Sequence, residues 1–140
     1  MTGTSKRPTA LELATLPLFA NFDHADLERI AEKFRTLVFD RGDVLLRRGT
    51  RGPRVLAFLV LAAGTADAAA DGDAPRPLRR GDCAGAIALL DEVPQPATVT
   101  ARTRLRCFGL SAWEFRGLLE RHPALCSRIR ETADLAAAAA

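Results

Sequence analysis

Apolar residues in the first third of the chain recur at helical spacing. Thr9 and Glu12 have the spacing of a capping box, so a short helix is predicted to begin here and run to about Leu16, where Pro17 would end it. A second helix is predicted after Asp23, because the apolar residues that follow fall three, four and seven positions apart. They are Leu27, Ile30, Ala31 and Phe34. The pattern therefore predicts two short N-terminal helices.

From Thr36 onward the pattern changes to short apolar runs separated by glycine and proline. Such runs occupy residues 36–39, 44–48, 55–63, 65–70, 77–82, 98–103 and 105–110. Asp71-Gly72-Asp73 has the composition of a hairpin turn, because glycine adopts the positive φ that such turns require. Seven or eight short strands at this spacing are typical of a β-sandwich or a jelly-roll barrel.

Helical spacing returns after the last predicted strand. Ser111 and Glu114 have the spacing of a second capping box, ahead of an apolar face. Pro123 suits the first turn of a final helix, on which Leu125 and Ile129 share one side. The predicted fold class is α+β: an antiparallel β-roll (jelly-roll barrel) with two short N-terminal helices and two C-terminal helices.

Composition is that of an ordinary globular domain. The 140 residues suffice for one domain with a core, and the net charge of +3 comes from 20 basic residues interleaved with 17 acidic ones. Such mixing is typical of a solvated surface rather than of a nucleic-acid interface. The longest apolar run, nine residues at 55–63, is too short to span a bilayer, and the N-terminus lacks the apolar core of a secretory signal. We expect a cytoplasmic protein without a membrane span.

The cysteines and histidines do not cluster. Cys83, Cys107 and Cys126 lie 24 and 19 residues apart without a C-x-x-C pair, which indicates free thiols in a reducing compartment. His24 and His122 are far apart in the sequence, so neither a metal site nor a cofactor is expected. No nucleophile, base and orienting group have an interpretable spacing, and we therefore do not expect an enzyme.

One segment has the features of an anion-binding loop without its charges. CAGAIALLDEVPQPATVTA, residues 83–101, combines small residues, a short apolar turn, a proline-rich break and a β-branched strand, but has no Arg or Lys. Together with GDVLLRRGTRGP and FLVLAAGTADA, it resembles the cyclic nucleotide-binding domain, the regulatory module of catabolite-activator-type regulators, protein kinase regulatory subunits and gated channels. The resemblance covers residues 16–135 and implies one such domain, preceded by a tail and short helix at 1–15 and followed by an alanine tail at 136–140.

In that family the loop forms a short helix whose amino end and flanking N–H groups face the cyclic phosphate. An arginine of the loop pairs with the phosphate, and a glutamate accepts a hydrogen bond from the ribose 2′-hydroxyl. The resemblance implies ligand-binding roles for the positions that match the family pattern. They are Gly85, Ile87, Ala88, Ala97 and Thr98.

Three phosphate- or ribose-binding positions depart from the family pattern, and Ala84 also replaces the aromatic residue that the family usually has before the glycine. Ala86 stands where the family has the glutamate, Gln95 stands where it has the arginine, and Pro96 has no N–H to offer. Hydrogen bonds that involve charged groups contribute roughly 1.5 to 3 kcal/mol each, so two lost contacts would remove about 3 to 6 kcal/mol, or roughly two to four decades of affinity. The sequence therefore predicts a degenerate phosphate-binding loop with weak or no binding of cAMP and cGMP.

Arginines near the loop are candidates to replace the missing cation. Arg79 and Arg80 precede the loop, and Arg102 follows it on the next predicted strand. The alternative is that these side chains are solvated charges at strand ends. Genuine cyclic nucleotide binding with a substitute cation such as Arg102 is therefore one of the hypotheses.

Two other hypotheses stay open. In the first, the domain is a sensor: a weakly bound cyclic nucleotide or other small anion orders the last helix, and Leu125 and Ile129 either cover the pocket as a lid or are plain core contacts. In the second, the domain binds a protein partner without any ligand. Direct DNA binding is not expected, because the 17 residues after Pro123 cannot hold a helix-turn-helix.

Overall fold

The protein alternates short helices and short strands. A computed structural model describes residues 7–50, 57–70 and 74–138, so the predicted turn at Asp71-Gly72-Asp73 lies outside the described residues. The helices are α1 Ala10–Ala14, a 3-10 turn at Pro17–Phe19, α2 His24–Lys33, α3 Ala86–Asp91, α4 Ala112–Arg121 and α5 Pro123–Ala138. The strands are β1 Arg35–Phe39, β2 Val44–Leu46, β3 Phe58–Ala63, β4 Ala66–Ala69, β5 Arg76–Leu78, β6 Cys83–Ala84, β7 Thr98–Ala101 and β8 Leu105–Leu110.

The strands form two four-stranded sheets. One sheet has the order β1-β8-β3-β6 and the other has the order β2-β7-β4-β5. Every pair within them is antiparallel. This arrangement confirms the predicted antiparallel β-roll with helices before and after it.

Strand β3 has two buried faces, which explains the longest apolar run of the sequence. Phe58 and Val60 join a core that the helices cover, and the ring centroid of Phe58 lies 4.6 Å from that of Phe115 on α4. Leu59 and Leu61 point the other way, into a second core between the two sheets. A strand that is buried on both faces is apolar at successive positions rather than at alternate ones.

Both predicted capping boxes are present. The Thr9 hydroxyl accepts the N–H of Glu12 and the Glu12 carboxylate accepts the N–H of Thr9, each at 3.1 Å. Ser111 and Glu114 make the same reciprocal pair, also at 3.1 Å each. These bonds satisfy backbone donors that have no partner inside the helix. At its other end, α1 stops two residues earlier than predicted.

Helix α5 packs against the N-terminal region as well as the sheets. Leu125 and Ile129 are completely buried in the core beneath the helices. Arg128 donates a hydrogen bond of 3.2 Å to the carbonyl of Leu18, and its guanidinium carbon lies 5.1 Å from the ring centroid of Phe22. No helix in the described part of the chain is long and apolar enough to cross a bilayer.

Candidate functional site

A cavity of about 180 Å³ opens beside α3, next to the core between the sheets. Its floor is apolar and buried. The floor residues are Leu46, Ala68, Leu78, Ala84 and Val99. The remaining wall comes mainly from the loop between β6 and β7, which contains α3, and from the first residue of β5.

Gly85 fixes the path by which the loop enters α3. Its φ is +90°, a conformation that residues with a side chain rarely adopt. A Cβ atom here would overlap the carbonyl oxygen of Ala57, so the loop backbone lies directly against the chain before β3. Only glycine fits both requirements, and the position of α3 therefore depends on backbone geometry.

The cavity brings together most of the loop positions that the sequence singled out. Of the family-matching positions, Gly85, Ile87 and Ala97 line the cavity. Ala88 and Thr98 do not line it, and the Thr98 hydroxyl accepts the backbone N–H of Arg48 at 3.0 Å.

The three substituted positions all line the cavity. The Ala86 methyl group is buried, and Pro96 forms part of the rim. The side of the cavity formed by the loop therefore carries neither a carboxylate nor a guanidinium among the residues the structure describes.

Gln95 is held by its backbone. Its carbonyl accepts the N–H of Gly49 at 2.8 Å, and its N–H donates to the carbonyl of Thr50 at 3.0 Å. The residue is only 6% exposed. The cavity thus has a buried, neutral amide at the position where the family resemblance implies an arginine.

The arginines that the sequence offered as substitute cations have other partners. Arg80 donates a hydrogen bond of 2.6 Å to the hydroxyl of Thr15, and Arg102 lies 3.5 Å from the carboxylate of Asp67. The side chain of Arg79 is exposed. None of these three arginines lines the cavity. In this conformation they are not positioned to meet a ligand there.

Sequence analysis missed the one cation that does line the cavity among the described residues, Arg76. Its Nε atom is buried and has no hydrogen-bond partner. A usable signal existed, because Arg76 is two positions before Leu78 on β5 and alternate residues of a strand share a face. Leu78 is buried on the floor of the cavity, so Arg76 belongs to the same inner face.

Cys83 also lines the cavity, as a neutral thiol. Burial, with a smaller contribution from the negative charge of Asp82, raises the pKa of the Cys83 thiol to about 12. The thiol therefore stays protonated at neutral pH and is a poor nucleophile. Across the described residues, no three His, Cys, Asp or Glu side chains are grouped closely enough to hold a metal ion.

Leu125 and Ile129, the predicted lid residues, do not line the cavity. They share a core with Ala86 of α3, and Leu89 and Leu90 pack against that core. Helix α5 therefore contacts the side of α3 that faces away from the cavity, and these two residues do not contact the cavity itself. A lid role for these two residues stays a prediction.

Residues 36–122, more than half of the chain, match the sequence profile of the cyclic nucleotide-binding domain. The chain belongs to this family. The cAMP-dependent protein kinase regulatory subunit of Blastocladiella emersonii is 30% identical to it over 126 residues, which cover 85% of this chain and 30% of that protein. This cyclic nucleotide-binding domain therefore spans less than a third of that relative. The resemblance seen in the sequence is confirmed, while the limits 16–135 stay a prediction.

Solved structures share the fold of this cyclic nucleotide-binding domain. The regulatory domain of Toxoplasma gondii protein kinase A, in a co-crystal with cAMP, has a TM-score of 0.75 at 23% identity and covers 89% of this chain and 48% of its own. The regulatory subunit of a cAMP-independent protein kinase A from Trypanosoma brucei has a TM-score of 0.77 at 19% identity, covering 89% of this chain and 44% of its own. At these identities the likeness establishes the jelly-roll fold alone.

Proposed function

We propose that this domain is a non-enzymatic regulatory module whose pocket binds cAMP and cGMP weakly or not at all. The observation that carries the proposal is that Ala86, Gln95 and Pro96 all line one cavity. Each of them lacks a group that the family uses on a cyclic phosphate or its ribose. The three cysteines are free thiols, as expected in the cytoplasm, where we locate the module.

The binding energy lost through the substitutions at Gln95 and Ala86 supports weak binding of cyclic nucleotides. The amide of Gln95 is neutral, and the methyl group of Ala86 offers no acceptor for a sugar hydroxyl. Losing two hydrogen bonds to charged groups weakens binding by roughly two to four decades. Arg76 supplies one guanidinium, but from β5 rather than from the loop that would hold the phosphate.

A regulatory output through α5 is supported by the contacts of α3. Ala86 packs in the same core as Leu125 and Ile129 of α5. At the other end of α3, Asp91 accepts a hydrogen bond of 2.9 Å from Arg130, also on α5. A ligand that shifted α3 would therefore change the position of α5. We expect α5 to transmit the signal to other parts of the protein or to a partner.

Calorimetry with cAMP and cGMP tests the proposal directly. We expect the natural protein to bind either nucleotide with a Kd above about 100 μM, and the double variant Gln95→Arg with Pro96→Ala to bind about ten- to 100-fold more tightly. Adding Ala86→Glu is expected to tighten binding further, provided that thermal unfolding shows an intact fold. A Kd below about 100 μM for the natural protein would overturn the proposal.

A charge-matched control distinguishes the effect of a positive charge in the loop from the effect of a higher net charge of the protein. Ala63 is exposed at the end of β3 and does not line the cavity. Ala63→Arg adds the same charge as Gln95→Arg and is expected to leave nucleotide binding unchanged. If it tightened binding as much as Gln95→Arg does, the loop position would not be responsible.

A second candidate function is a protein-interaction domain that needs no ligand, and one surface favours it. Trp113 on α4 is 84% exposed, beside a groove of about 340 Å³ between α2 and α4. Lys33 and Arg121 contribute to this groove. An exposed tryptophan next to cations suits a protein segment that presents apolar and acidic side chains.

Site-specific photo-crosslinking tests this second candidate. A photoreactive residue at position 113 is expected to give one discrete adduct with a partner protein. The same residue at Leu11, which is 72% exposed on α1, is the matched control. Identical adduct patterns from the two positions would contradict a specific interface at α4.

A further inference from the structure

The cavity contains a cation that the proposed function does not use. We propose that the pocket binds a small organic anion, whose carboxylate or phosphate oxygens are held by the guanidinium of Arg76. The inference rests on the proposed function insofar as it concerns the same pocket, and it names the class of ligand that replaces a cyclic nucleotide there.

The side chain of Arg76 is incompletely hydrogen-bonded. Its Nε is buried without a hydrogen-bond partner, whereas buried N–H groups are almost always paired. A guanidinium is charged at every accessible pH and has donors only, so the partner that completes this site must be an acceptor. The charge makes an anionic acceptor the favoured one.

The described residues around Arg76 supply no counter-ion. None of the described residues that line the cavity is acidic. Two acidic residues on neighbouring segments have other partners, because Asp67 faces Arg102 at 3.5 Å and Asp82 accepts the backbone N–H of Arg79 at 2.8 Å. Within the described part of the chain, the guanidinium therefore has no acidic wall residue to neutralise it, and a bound anion would do so in a setting where charge pairs are stronger than in water.

The shape of the pocket limits the size of that anion. At about 180 Å³ the cavity is smaller than the roughly 300 to 1,000 Å³ of pockets that enclose drug-sized ligands. Arg76 lies on one wall, the neutral side chain of Gln95 lies in the loop, and apolar floor residues line the space they share. A matching ligand has one oxyanion for the planar guanidinium, a short apolar body and room for one neutral polar group at Gln95.

Three probes with the same apolar body test the charge requirement: benzoate, phenyl phosphate and the neutral benzamide. Nitrogen-15 NMR of the full chain reads the Nε–H resonance of Arg76 directly. We expect benzoate or phenyl phosphate to shift this resonance and to bind at least about ten-fold more tightly than benzamide. The tighter of the two anions tells whether the site prefers a carboxylate or a phosphate.

A pair of variants tests whether anion binding depends on Arg76. Arg76→Met keeps the aliphatic stem and removes the charge, and it is expected to weaken anion binding at least about ten-fold. Arg79→Met, at an exposed arginine that does not line the cavity, is the matched control and should bind like the natural protein. If Arg76→Met failed to fold, the comparison of benzoate with benzamide on the natural protein would still show whether the pocket requires an anion.

Three outcomes would overturn the inference: equal affinity for benzoate and benzamide, unchanged anion binding by Arg76→Met, or no shift of the Arg76 Nε–H resonance at millimolar anion. A cAMP titration of the same samples distinguishes failure of the anion-binding hypothesis from failure of the proposal that the domain binds cAMP weakly. Tight cAMP binding that Arg76→Met abolishes would overturn weak nucleotide binding and support the role of Arg76. Absence of anion-selective binding together with weak cAMP binding would overturn only the present inference.

Discussion

Arg130 on α5 donates a hydrogen bond of 2.9 Å to the carboxylate of Asp91, the last residue of α3. The two side chains are 44% and 43% exposed, so solvent screens the pair, but it joins the helix beside the cavity to the last helix. A second arginine, Arg116 on α4, lies 3.8 Å from the carboxylate of Glu92 at the end of the same loop helix. The C-terminal helices therefore hold the carboxyl end of α3 through charges and the side of α3 that faces away from the cavity through apolar packing.

A double-mutant cycle on Asp91→Asn and Arg130→Gln is expected to give a small but measurable favourable coupling energy, because the pair has good geometry although solvent screens it. Urea unfolding measures it. The control pair is Arg104 with Asp40, which lie 4.0 Å apart and are 78% and 66% exposed, and for which we expect no measurable coupling. Equal coupling in the two pairs would mean that α3 and α5 are not linked by this contact.

Gly85→Ala is expected to lower the free energy of unfolding by about 3 kcal/mol or more, because both a positive φ and an overlap with the carbonyl of Ala57 must be relieved. Gly42→Ala is a matched control. Gly42 has a similar φ of +92° but no atom within 4 Å of an added Cβ, so only about 1 kcal/mol is expected. Equal losses would show that the close approach to Ala57 is not what requires glycine at the start of α3.

Arg76→Met is expected to raise the free energy of unfolding by about 1 to 2 kcal/mol without ligand, because it removes a buried donor that lacks a partner. Arg106→Met is the comparison, since Arg106 is paired with Glu12 at 2.9 Å. That change is expected to lower stability by up to about 1 kcal/mol. Thermal and urea unfolding measure both, and a loss of stability in Arg76→Met would contradict an unsatisfied cation in the cavity.

Cys107 is expected to make stability fall at alkaline pH. Burial raises the pKa of its thiol from 9.0 to about 12. The unfolded chain therefore loses this proton first, so the contribution of the thiol to stability is complete below about pH 9 and is lost between about pH 9 and pH 12. In that window one buried thiol lowers the free energy of unfolding by about 1.4 kcal/mol per pH unit.

Urea unfolding of the natural protein and of Cys107→Ala, at neutral pH and at about pH 10, measures this contribution. The variant is expected to be less stable at neutral pH, because truncation leaves a small cavity, but to lose less stability on going to alkaline pH. Parallel pH profiles for the two proteins would contradict a buried, protonated thiol at this position.

The sequence predicted most of the fold because its local signals agree with the tertiary structure. Thr9 with Glu12 and Ser111 with Glu114 are capping boxes in the sequence and in the structure. The β-roll followed from short apolar runs between glycines. At the helix ends, α1 stops two residues early, and Phe34 follows the last residue of α2 instead of lying within it. The loop around Gly85 was identified because its small, apolar and proline residues form one continuous pattern in the chain, which resembles the pattern of the family.

The polar groups of the cavity were harder to predict, because they depend on contacts between distant residues. Arg80 and Arg102 are close to the loop in sequence, but their partners Thr15 and Asp67 come from other parts of the chain. Arg76 was missed because β5 has only three residues and contains Pro77, too short a run for its alternation to be recognised. The position of the Gln95 backbone likewise depends on a turn far away in the sequence.

That turn, at Gly49 and Thr50, holds position 95 through main-chain atoms alone. The side chain there can consequently be exchanged while the main chain stays where it is. Substitutions at position 95 over evolutionary time therefore change the chemistry of the cavity wall and leave the β-roll that surrounds it in place.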